Sequence, residues 1–178
     1  TSEVEPARTQ AALDRINKHQ GNQDCKNYDD FRELIARDDI DAVIISTPDH
    51  LHAHPSILAC DAGKDVYCEK PLSHTLEEGL AIMAASKRNK TVFQTGSQQR
   101  SEFKGFFKRA VEFARNGYLG DIQRIYIGVN GPPIPCDLST EPTPEGTDWD
   151  AWLGPAPERG FNQVLCPIGV HNHFPAWR

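Results

Sequence analysis

The order of patterns along the chain predicts an α/β protein: a doubly wound parallel sheet, followed by the start of a second domain with a mostly antiparallel sheet. Three observations carry this. Short apolar runs alternate with segments of helical period as far as Gly117, and each apolar run ends in a polar loop. After Gly120 the period switches from that of a helix to that of a strand with one wet face.

Taken in order, residues 6–19 carry Ala and Leu at helical spacing. "YDDFRELIARDD" (28–39) predicts a second helix, opened by an Asp cap at 29 or 30, with Phe31, Leu34 and Ile35 as its buried stripe. "DAVIIST" (41–47) is a near-continuous apolar run, the signature of a parallel strand buried on both faces. A helix over 53–63, closed by Gly63, leads to the strand "DVYCE" and then to a helix over 75–89. There Thr75 and Glu78 have capping-box spacing, and Leu76, Leu80 and Met83 form the apolar side. "TVFQTG" (91–96) reads as a third strand. "SEFKGFFKRAVEFARNG" reads as the clearest helix, with Phe103, Phe107, Ala110, Val111 and Ala114 on one face and Gly117 at its end. "IQRIYIGVNG" then alternates Ile125, Ile127 and Val129 with Arg124, Tyr126 and Gly128, predicting a half-exposed strand. The boundary between domains is placed at 121, giving 1–121 and 122–178, and no internal repeat is found.

Composition narrows the function classes. Among 178 residues the formal net charge is −6, and Lys and Arg are scattered, which argues against nucleic acid or an anionic membrane as the main partner. No apolar run approaches the roughly 18 residues that a membrane span needs. The opening "TSEVEPARTQAAL" has neither a basic nor an apolar region of signal-peptide type. Five cysteines without a C-x-x-C pair read as reduced packing residues of a cytoplasmic protein. Cys136 with Cys166 is the candidate disulfide if the protein is exported.

Open α/β sheets bind ligands beyond the carboxyl ends of their strands. Three such ends, "STPDHLH" (46–52), "CEKPLS" (68–73) and "TGSQQR" (95–100), are polar and should converge on one edge. Lys70 is either a solvated surface lysine or a group aimed at the ligand, because Pro71 fixes its own φ and restricts the residue before it. In a partly dry cleft a lysine can be tuned for proton transfer. Glu69 either pairs with a cation or accepts hydrogen bonds from a ribose.

With "TPDHLH", "CEKP", the helix after it, "QTGSQQR" and "WLGPAP" in this order, the chain resembles the glucose–fructose oxidoreductase / inositol dehydrogenase (Gfo/Idh/MocA) family over essentially its whole length. The resemblance implies a Rossmann domain binding NAD or NADP, and a sugar or polyol substrate held against a second α/β domain. It also implies a homo-oligomer formed through the C-terminal sheet. It assigns Lys70 to the substrate hydroxyl and Thr47, Pro48 and His52 to the dinucleotide. Glu69 and Pro71 fall near the nicotinamide ribose and Gln98 near the nicotinamide, and a cis Lys70–Pro71 bond is expected. The family's G-x-G-x-x-G turn and its D-x-G-x-H-like catalytic segment are not in the sequence. The expectation is therefore an internal piece of the enzyme, inactive by itself. An enzyme of the same family that uses NAD transiently to cleave a glycoside, and a non-catalytic binding remnant, are the alternatives.

Two histidine patterns need weighing. His50, His52 and His54 would face one way on an extended segment and hold Zn, but a helix expected from about Ala53 breaks that geometry, so no metal is expected. "HNH" places His171 and His173 in a substrate-domain loop, as candidate substrate contacts. Trp149 and Trp152 are expected as packing anchors between the domains rather than platforms for a sugar ring.

Overall fold

The computed structural model describes residues 1–128 and 138–169. They fall into two compact units, one formed by residues 1–95 with 138–169, the other by residues 96–128.

In the first unit, strands β1 (Ala42–Ile45), β2 (Asp65–Glu69) and β3 (Phe93–Gly96) form a parallel sheet in the order β1-β2-β3. The register pairs Ala42 with Asp65 and Ile45 with Cys68. Each crossover moves one place in the same direction, through helix α3 (Ala53–Asp61) and then α4 (Leu76–Asn89). The two helices pack against each other and on the sheet face that carries Ile45, Val66 and Cys68, and Ala59, Cys60 and Ala85 complete that core. Strand β1 is not buried on both faces as its apolar run suggested. Ile45 points into the core, while its neighbour Ile44 is 78% exposed. Successive strand side chains point to opposite faces, and only one face of β1 meets a helix layer among the described residues.

Helix α4 carries the predicted capping box. The Thr75 hydroxyl accepts from the Glu78 N–H, and the Glu78 carboxylate accepts from the Thr75 N–H. Its expected apolar side is reversed. Ile82 and Ala85 are buried against the core, while Leu76 is 74% and Met83 64% exposed, with Leu80 also on the outside. Ile82 lies about 200° round the helix from Leu80. The stripe that meets α3 is thus the smaller apolar one, and burying Ile82 stabilises by about 1.5–3 kcal/mol.

Helix α1 (Pro6–Gln20) follows the expected span, with Pro6 in the first turn and Glu5 as its cap. Helix α2 (Phe31–Ile35) is capped by Asp30 and is shorter than expected, ending before "ARDD". The next turn is secured by Lys64, a buried lysine whose Nζ donates to the carbonyls of Arg37 and Ile40, both at 2.8 Å. Residues 138–169 build a second core in the same unit. There helix α5 (Trp149–Leu153), capped by Asp148, gathers Trp149, Trp152, Leu153, Phe161, Leu165 and Cys166, with Val4 and Leu138 against them. Trp149 stacks on Trp152 at 4.8 Å and donates its indole N–H to the Arg159 carbonyl at 2.8 Å. Both tryptophans are packing anchors here.

The second unit holds helix α6 (Phe106–Arg115). It starts later than the pattern suggested, because Lys104 and Gly105 both take the left-handed conformation (φ 56° and 70°) and interrupt the helix. None of its residues is buried, and Phe107, on the face expected to be covered, is 58% exposed. The Phe103 side chain lies outside the described residues. The half-exposed strand expected within 122–131 has no ladder over 122–128. Its alternation is present, but no described segment pairs with it, and a strand exists only through a partner's hydrogen bonds. Val129 lies outside the described residues.

Candidate active site

The parallel register sets the two strand ends side by side. With Ile45 opposite Cys68, the loop that begins at Ser46 leaves the sheet beside the end of β2, whose loop begins at Lys70. Thr47 and Lys70 are exposed on this edge, Pro71 is exposed, and Pro48 and Glu69 are half-buried. The Lys70–Pro71 peptide is cis, as expected. The Glu69 carboxylate accepts from the Lys70 backbone N–H at 3.2 Å. Cys68, next in line, is fully buried, and that burial pushes its thiol up, away from the reactive thiolate.

His52 lies between the two loops and is 1% exposed. Its Nδ1 is 2.5 Å from the Pro71 carbonyl oxygen, and its Nε2 is 2.8 Å from that of Thr47. A short 3-10 turn, Asp49–Leu51, feeds directly into α3, so the three histidines of "HLHAH" diverge. His50 reaches the Trp152 carbonyl with Nε2 at 2.8 Å and packs its ring on the Trp152 indole at 5.0 Å. His54 meets the ring of Phe31 edge-on. Among the described residues no group of three His, Cys, Asp or Glu side chains is arranged to hold a metal ion.

Two contacts in this region were not foreseen from the sequence. The sequence pattern offers His50 only as a metal ligand, yet it ties the β1 loop to α5. Gly154, at φ 51°, lies so close to Leu51 that an added Cβ would stand 2.3 Å from Leu51 Cδ2. The available signal was the Gly-Pro pair after "WL", which marks a sharp turn but not its neighbour. Gln98 opens the 3-10 turn Gln98–Arg100 in the other unit. His171, His173 and Cys136 lie outside the described residues.

Residues 5–97 match the model of the family described as "Oxidoreductase family, NAD-binding Rossmann fold", GFO_IDH_MocA. The chain belongs to this family. It is 33% identical over 105 residues to an inositol 2-dehydrogenase of Salmonella typhimurium, covering 58% of this chain and 30% of that one. It is 30% identical over 131 residues to a 2,7-anhydro-N-acetylneuraminate hydratase of Mediterraneibacter gnavus, covering 72% and 34%. A solved levoglucosan dehydrogenase in complex with NADH and levoglucosan superposes with a TM-score of 0.53 at 31% identity, over 67% of this chain and 30% of the other. The match to the first curated relatives spans about a quarter to a third of their length.

Thr47, Glu69 and Lys70 follow the last paired residues of two adjacent parallel strands, and a hydroxyl, a carboxylate and an ammonium group match the chemistry of the ribose hydroxyls of a dinucleotide.

Proposed function

We propose that the whole protein carries out NAD- or NADP-dependent oxidation or reduction at a hydroxyl-bearing carbon of a sugar, polyol or related derivative. The observation that carries this reading is the register that ends β1 and β2 side by side at Ile45 and Cys68, two residues before Thr47 and Lys70, at the carboxyl edge of a sheet within the family match. The nicotinamide, when bound, takes or gives the hydride. Lys70 Nζ accepts the proton of the substrate hydroxyl during oxidation and returns it during reduction, so charge does not build up on the oxygen. Glu69 and Thr47 hold the dinucleotide, Pro48 and Pro71 shape the loops that carry them, and His171 and His173 contact the substrate. The relatives named for inositol and levoglucosan support the substrate class.

Lys70→Ala tests the reading. In the whole protein kcat is expected to fall by about two to four orders of magnitude, the range for losing a positioned proton-transfer group. The dinucleotide Kd should stay within about threefold by fluorescence titration. Turnover close to wild type would remove Lys70 from the chemistry. A relative named as a hydratase makes the form of the assay matter. Product without accumulating NADH would assign transient use of the cofactor instead of net oxidation.

A further inference from the structure

The resemblance assigns His52 to the dinucleotide, but the geometry gives it other work. A side chain 1% exposed offers almost no surface to a ligand. Both of its ring nitrogens already face carbonyl oxygens, Pro71 at 2.5 Å and Thr47 at 2.8 Å. These carbonyls belong to the loops that follow β2 and β1, one beginning with the proposed proton-transfer residue and the other with the proposed cofactor residues. The parallel ladder ends with the pair Ile45–Cys68. Beyond it backbone pairing no longer fixes the spacing of the two loops, and the imidazole spans that gap.

From this we infer that His52 is a positioning residue: it sets where the Lys70–Pro71 segment stands relative to Thr47, and it touches neither cofactor nor substrate. The loop it belongs to is itself fixed from the other side, because His50 holds the Trp152 carbonyl at 2.8 Å and Leu51 is seated against Gly154. His52 therefore transmits a fixed reference point, the α5 cluster, to the Lys70 peptide. Misplacing a reacting group by about 1 Å can cost on the order of a hundredfold in rate, so the effect of losing the brace should fall on kcat.

The inference rests on the proposed role of Lys70, and two near-isosteric variants separate it from a general structural effect. The amide nitrogen of Asn reaches the position of Nδ1, and that of Gln the position of Nε2. Thus His52→Asn keeps the link to Pro71, while His52→Gln keeps only the link to Thr47. In the whole protein, His52→Gln is expected to lower kcat by about tenfold or more, with the Kd for NADH within about twofold. His52→Asn should keep kcat within about threefold. Amide hydrogen exchange at Lys70 and Leu72 should quicken in the Gln variant and stay near wild type in the Asn variant. The inference is overturned if the Gln variant loses NADH affinity at unchanged kcat, which would make His52 a cofactor contact. It is equally overturned if the two variants lose kcat and Tm alike. The exchange measurement needs no turnover: quickened exchange alongside an active Lys70→Ala enzyme would leave the brace standing and sink the oxidoreductase role of Lys70. Unchanged exchange alongside an inactive Lys70→Ala enzyme would do the reverse.

Discussion

Helices α5 and α6 invert what amphipathic pattern alone would suggest. Helix α6, with Phe107, Ala110, Val111 and Ala114 on one side, has the clearest apolar face in the sequence, yet none of its residues is buried. Helix α5 is only five residues long, yet it centres a core of two stacked tryptophans, Phe161, Leu165 and Cys166. Periodicity reports that a helix has a face to cover. It does not report where the cover comes from. In α5 the cover is local in space but distant in sequence: Val4 from the start of the chain, and His50 and Leu51 from the β1 loop.

The largest stability effect should separate the two helices. Trp149→Ala removes a stacked ring 4.8 Å from Trp152, an edge contact with Phe161 at 5.3 Å and the bond to the Arg159 carbonyl. It should cost about 3–5 kcal/mol, read as a lower urea midpoint. Val111→Ala in α6 should change stability by no more than about 0.5 kcal/mol, as at an exposed surface position. A cost above about 1 kcal/mol at Val111 would mean that the α6 face is covered in the protein.

A second variant sharpens the link between α5 and the strand-end loop. Gly154→Ala combines a left-handed φ of 51° with a Cβ placed 2.3 Å from Leu51 Cδ2. It should destabilise by about 1–3 kcal/mol through overpacking and backbone strain. Because Leu51 lies between His50 and His52, the same change should also disturb the β1 loop, visible as shifted resonances at Thr47 and His52. A destabilised protein with those resonances unmoved would mean that α5 does not hold the loop.

Much of the first unit was legible because its signals are local. The Thr75–Glu78 box, the Asp30 cap, the span of DVYCE and the Ala and Leu spacing of α1 each follow from residues within a few turns or one strand. Which face is buried was not legible for Ile44 or for the Leu76, Leu80, Met83 stripe, because it depends on which neighbours arrive. The strand ends were found from polarity alone. Their brace was not, since a histidine that faces two carbonyls looks, in sequence, like one that faces a ligand. Lys64 shows the same limit. Its burial follows from the carbonyls of Arg37 and Ile40, neither of which leaves a mark on the sequence around it.

The smallest expected effect concerns the other end of the α5 cluster, where Glu5 joins α1 to residues 138–169. Burial alone would raise its carboxyl. The backbone N–H groups of Ala7, Arg8 and Gly169, with the Arg8 guanidinium, outweigh that and hold it below its ordinary 4.5. A carboxyl lowered on folding contributes stability that is whole above pH 4.5 and is lost as pH falls through the lowered folded value. Glu5→Gln keeps an acceptor for the helix N-terminus and removes the charge. The variant should therefore be less stable than wild type by about 1 kcal/mol near neutral pH. The gap between the two urea midpoints should close as the pH is lowered below 4.5. Arg8 also donates to Cys166 Sγ and to the Pro167 carbonyl, so the guanidinium stays anchored in the variant and the measurement isolates the carboxylate. A gap that holds constant down to pH 3 (about the lower end of ordinary carboxylate titration) would show that Glu5 acts by shape and not by charge.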